Sequence, residues 1–192
     1  MRMHQLLAGL AFAVVSTAFA NPPQLVAAAR QQTRSAVVYD GSYTRIAYPL
    51  GDVPATRGVC TDVVIRAYRA IGIDLQVLVH EDMSTNFRLY PRQWGLSEPD
   101  ANIDHRRVPN LQKFLERAEA KVGGADSAAV YQAGDLVTWM LPGNLPHIGI
   151  VSDRFAVNTD RPLVIHNIGA GPVEEDMLFA YPITGHYRYR VK

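Results

Sequence analysis

Cys60 is the only cysteine in the chain. It stands in "ATRGVCTDVVIRAY", where a loop gives way to a helical pattern. A thiol in the first turn of a helix meets unpaired backbone N–H groups and the positive end of the helix dipole, a setting that lowers its pKa and favours thiolate. The plain alternative is a small buried hydrophobe. A reactive thiol needs a base, and beyond the first twenty residues the chain offers His80, His105, His147, His166 and His186. His147 opens "HIGIVSD" directly after Pro146, at the end of a strand pattern, and His166 lies within "VIHNI". A thiol, an imidazole base and a further group that orients the base are the parts used in covalent acyl transfer. Asp62 has two readings: it bonds the first-turn N–H groups and faces solvent, or it contacts a substrate ammonium group.

Two polar clusters, "VHEDM" from Val79 and "NIDHRR" from Asn102, bound an insert between His80 and Arg107. Their spacing is not that of a helical His-Glu-x-x-His site, and Arg106 and Arg107 repel a cation, so no metal ligand is assigned. The plain reading pairs Asp82 and Asp104 with the arginines to brace a loop-rich segment. The alternative makes Arg106 or Arg107 a bidentate holder of a substrate carboxylate. No cofactor is expected.

The elements that must position these residues change character along the chain. Residues 24–34 read as a short helix. From Val59 the apolar positions Val63, Val64, Ala67 and Ile71 recur at helical spacing, with Gly72 as a stop. Asp74 reads as the N-cap of a second helix, through "LQVLVHEDM". Asn110 reads as the cap of a third, whose Leu111, Phe114, Leu115, Ala118 and Val122 share a face before Gly123 and Gly124. Beyond Gly134, "DLVTWM", "HIGIVSD", "PLVIHNI" and "HYRYRV" are short β-branched and aromatic runs, with a turn at Pro142-Gly143-Asn144. Helices followed by antiparallel strands predict an α+β fold with the Cys60 helix packed on the sheet.

Residues 1–20, "MRMHQLLAGLAFAVVSTAFA", carry a positive start, an apolar centre and a small-residue cleavage pattern at Ala18-Phe19-Ala20, the parts of a secretory signal peptide. The expectation is a product of residues 21–192, one domain, exported to a bacterial periplasm or beyond, with no stable membrane anchor and a monomer as the default. A lone cysteine in an oxidising compartment cannot form an internal disulfide. The leader removes only Arg2 from 19 Lys+Arg against 18 Asp+Glu, which leaves the charges balanced. Such a chain has no electrostatic footprint for nucleic acid.

Cys60, "GDLVTWM" from Gly134, "HIGIV" from His147 and a later strand with a polar residue resemble the NlpC-type cell-wall cysteine peptidases. The segment "YPLG", with Tyr48, is similar to that superfamily's aromatic motif. The strings "CTDVVIRAYRAIGIDLQ", "VHEDM", "YPRQWG" and "NIDHRRVPNL" more closely resemble an exported bacterial family of unknown function. The resemblance implies a circularly permuted papain-like fold, with Cys60 as nucleophile, His147 as base and then acid, and His166 as orienter. It also implies Tyr48 and the Cys60 backbone N–H as oxyanion donors; with the readings of Asp62, Arg106 and Arg107 above, the expected substrate contacts are Tyr48, Asp62, Arg106 and Arg107. Where those peptidases read Asp-Cys-Ser, this chain reads Val59-Cys60-Thr61. The implied function is a thiol hydrolase that cleaves an amide of peptidoglycan stem peptides. Two rivals use the same fold: a thiol-dependent acyl hydrolase or transferase on a lipid or thioester, and a non-catalytic cell-wall binding domain with a buried, unreactive Cys60.

Overall fold

A computed structural model describes residues 21–123 and 127–190, so the predicted leader lies outside the described residues. Among the described residues, four α-helices precede the main sheet. Helix α1 spans Pro22–Gln32, with proline where a missing N–H costs nothing. Helix α2 spans Cys60–Ala70 and is buried almost all round over its first two turns. It stops ahead of Gly72, whose φ of +83° suits glycine. Helix α3, Leu75–Asn86, is capped by Asp74, whose carboxylate accepts the Gln76 N–H at 3.0 Å.

Helix α4 spans Val108–Arg117 and departs from the predicted bounds at both ends. Pro109 seats in its first turn, so Asn110 lies inside the helix, and its buried amide donates to the Asp104 carbonyl at 3.1 Å. The helix ends before Glu119, which takes φ +56°, and Val122 instead donates its N–H to the His186 carbonyl at 2.8 Å. The period read through Ala118 and Val122 does not extend the helix: Ala118 is its C-cap, and Ala120 is the residue buried just beyond.

The five-stranded sheet holds β3 (Leu136–Leu141), β4 (Leu145–Phe155), β5 (Pro162–Asn167), β6 (Pro172–Glu175) and β7 (Ile183–Tyr187), in the order β6-β5-β4-β3-β7. Each neighbouring pair is antiparallel. The predicted α+β architecture is therefore present, with α2 against the sheet through Val64, Tyr68, Ile148, Ile150 and Ile165. The opposite face has its own core of Val137, Trp139, Val151, Val164 and Leu178. Strand alternation sorts the two sets. Each large side chain so buried contributes ~1.5–3 kcal/mol before chain entropy is charged.

Strand β6 and a two-residue parallel ribbon, β1 (Val38–Tyr39) with β2 (Arg57–Gly58), have no counterpart in the predicted elements. The ribbon lays Tyr39 beside Gly58, two positions before Cys60. Among the described residues no helix is long and apolar enough to cross a membrane.

Candidate functional site

Cys60 is the first residue of α2, as its sequence context predicts, and is a free thiol. Its own N–H, that of Thr61 and that of Ile148 on β4 all point at Sγ and favour its charged form. Burial outweighs them: Cys60 is 4 % exposed, and desolvation, helped by the charge of Asp62, pushes its pKa up to about 11. This corrects the expected lowering, because helix-terminus N–H groups stabilise a thiolate by less than removal of water destabilises it.

Tyr39, on the β1 ribbon, is the tyrosine that stands beside the thiol, close enough for Cys60 to raise its pKa. Burial and the neighbouring Cys60 and Asp62 raise the Tyr39 pKa to about 12. Tyr39 is itself 44 % exposed, so it stands between the buried thiol's surroundings and solvent. Tyr48, the oxyanion donor that the resemblance implies, sits on a loop pinned to α3: Leu50 and Gly51 donate their N–H groups to Asp74 and Gln76. The Tyr48 ring packs edge-on against His80 with centroids 5.1 Å apart. The signal for Tyr39 was present in "AVVYDG", a β-branched run with an aromatic before a turn.

His147 and His166 meet as the sequence reading requires. His147 Nε2 and His166 Nδ1 lie 3.0 Å apart, with the rings nearly perpendicular. His166 Nε2 is in turn 3.0 Å from Oε1 of Glu175, on β6. A carboxylate only accepts, so His166 carries its proton on Nε2 and leaves Nδ1 bare. His147 then donates through Nε2–H, and its own Nδ1 is the free lone pair. Gly149 permits the approach: a Cβ there would lie 2.7 Å from Val164 Cγ1 and 3.1 Å from His166 Cβ. Burial, then the neighbouring His166, lowers the His147 pKa to about 3, and burial also lowers that of His166 against the pull of Glu175.

The thiol and the imidazole chain adjoin without bonding. The His147 ring tilts against Trp139, centroids 5.9 Å apart, on the face away from the helices. The thiol instead meets the in-plane N–H of the next residue, Ile148. Among the described residues no hydrogen bond joins Cys60 to His147. Asn167 fixes the approach from below, donating to the Gly58 carbonyl at 3.4 Å and accepting from the Gly169 N–H.

The other predicted contacts are spent inside the protein. Asp62 does bond a first-turn partner, the Val59 N–H at 2.7 Å, but it is buried rather than facing solvent. Arg106 grips it through Nε and Nη2 at 2.8 and 2.9 Å. Arg107 pairs with Asp104 at 3.0 Å and lies 4.1 Å over the Trp94 ring. Asp82 pairs with Arg117 from α4 rather than with Arg106 or Arg107. His80, His105 and His186 have no hydrogen bond or ring contact to Cys60, His147 or His166 among the described residues, and His186 donates through Nε2 to Asp135 at 2.7 Å. Among the described residues no group of three or more His, Cys, Asp or Glu is arranged to hold a metal.

An α+β chain with a buried helix-start thiol beside an ordered imidazole–imidazole–carboxylate row defines a class by geometry alone. The comparisons give it a family: residues 26–189 match the family described as Domain of unknown function (DUF1287), and the chain belongs to it. It is 56 % identical over 164 residues to "Uncharacterized protein YijF" of Escherichia coli (strain K12), a match spanning 85 % of this chain and 80 % of that protein. No solved structure gives a significant match.

Proposed function

We propose that this protein is an exported thiol hydrolase with a permuted papain-like arrangement of the NlpC type, cleaving an amide bond in peptidoglycan stem peptides. The observation that carries the reading is the row Glu175–His166–His147, which leaves a bare His147 Nδ1 beside the strand residue whose N–H touches the thiol. In the resting protein both groups are neutral, since the thiol titrates near 11 and the imidazole near 3. Attack therefore couples proton transfer to bond formation. His147 Nδ1 takes the Sγ proton as sulfur adds to the amide carbon, and N–H groups at the α2 start and the Tyr39 hydroxyl receive the oxyanion. The imidazolium then protonates the leaving amine, and water activated by the same nitrogen hydrolyses the thioester. Compartment and substrate rest on the leader pattern and on the resemblance to wall peptidases.

The depth of Cys60 and its missing bond to His147 favour a second reading, a wall-binding domain without catalysis. Digestion of purified peptidoglycan, followed by mass analysis, separates the two. The hydrolase releases fragments with new amine and carboxyl ends, and the Cys60→Ala protein does not. Identical fragment profiles, with both proteins co-sedimenting with the wall, establish the binding domain.

A further inference from the structure

Glu175 has no part in the residues that the sequence assigned. It stands at the end of β6, its side chain 52 % exposed. Register explains its reach: His166 pairs with Val173, and Glu175 lies two positions further along the same face of β6, diagonal to His166. Its neighbour Glu174 points to the other face and is consumed by Arg30, Ser152 and Arg154. Glu175 thus has His166 as its partner, and through it a buried pair of rings touches a solvated carboxylate.

We propose that Glu175 is a positioning residue that, through His166, fixes the tautomer of His147 and so keeps its Nδ1 free of a proton. The functional consequence rests on the thiol-hydrolase reading; the control of the tautomers does not. Neither histidine selects its own tautomer, because each neutral ring can donate from one nitrogen and accept at the other in either sense. A row of two rings is degenerate until one end is tied to a group with a single role. The carboxylate is that group, and among the described residues no other hydrogen bond reaches the outer nitrogen of His166.

Nitrogen-15 NMR of the full protein at neutral pH reads this directly, since the protonated and bare nitrogens of a neutral imidazole resonate far apart. In the natural protein His166 and His147 should each show a single Nε2–H tautomer. In Glu175→Ala the two nitrogen shifts of His166 should move toward each other, and those of His147 should follow. Glu175→Gln keeps the side-chain size but can donate as well as accept, so it should lose the single tautomer too. Because Glu175 is half solvated at a strand end, both variants should melt close to the natural protein. Unchanged tautomers in both variants overturn the proposal. Where Cys60-dependent cleavage is found, kcat of Glu175→Ala should fall about tenfold with KM little altered, the scale for removing a carboxylate that orients a working imidazole. Shifted tautomers together with fragments that do not depend on Cys60 sink the hydrolase reading and leave the positioning role standing.

Discussion

A thiol at a helix start is commonly read as reactive, yet Cys60 shows how residue-scale context reverses that reading. Three N–H groups favour its anion, and burial wins against them. With a pKa near 11, the thiolate fraction at pH 7 is on the order of a hundredfold below that of an ordinary cysteine. Iodoacetamide should therefore modify the folded protein far more slowly than the same thiol in denaturant, with a rate that climbs as pH approaches 11. Tyr39→Ala should speed the folded-state reaction by removing a ring beside the buried sulfur, whereas Tyr39→Phe retains the ring and should react much as the natural protein does. Equal rates in the Ala and natural proteins would show that some other group shields Cys60.

At the scale of elements, the Asp62–Arg106 pair joins α2 to the short turn ahead of α4. Both side chains are almost fully buried, and Thr61 adds a hydrogen bond from its hydroxyl to the Arg106 carbonyl at 3.0 Å. Gly58 leaves the room: a Cβ there would come within 3.1 Å of Asp62 Oδ2. Arg106→Ala strands a buried carboxylate and should cost ~3–5 kcal/mol in chemical denaturation. The double variant Asp62→Ala with Arg106→Ala should cost less than the two single losses combined, since no charge is then left unpaired. Strict additivity would mean that the pair is not what holds the two elements together. An arginine committed in this way has no fork left for a substrate carboxylate.

Over the whole molecule, buried neutral histidines make stability depend on pH. Burial lowers His105 to about 4 and His147 to about 3, and lowers His166 as well, from an ordinary 6.5. Between those values and 6.5 the unfolded chain binds more protons than the folded one, so stability rises with pH across that window. It is fully present above 6.5 and is lost as pH falls toward 4, at about 1.4 kcal/mol per pH unit for each histidine. Urea midpoints at pH 7.5 and pH 5 should differ accordingly, and the difference should shrink in His105→Gln. A midpoint independent of pH would refute the neutral buried state of these rings.

The sequence alone determined those features that local chemistry specifies. The 3.6-residue period around Val63, Val64 and Ala67 marked α2, the Asp74 cap marked α3, and β-branched runs marked β3, β4 and β5. It also placed Cys60 at a helix start and singled out His147 and His166 as partners, which the structure sets 3.0 Å apart. Tertiary structure decided the rest, because each remaining point depends on groups far apart in the chain. Tyr39 reaches the thiol only through a two-residue ribbon, and Glu175 reaches His166 only through the β5–β6 register. Asp62 met Arg106, 44 residues away, instead of solvent. The sign of the Cys60 shift followed the same rule: helix position is local, whereas burial is the sum of every element packed around the sulfur.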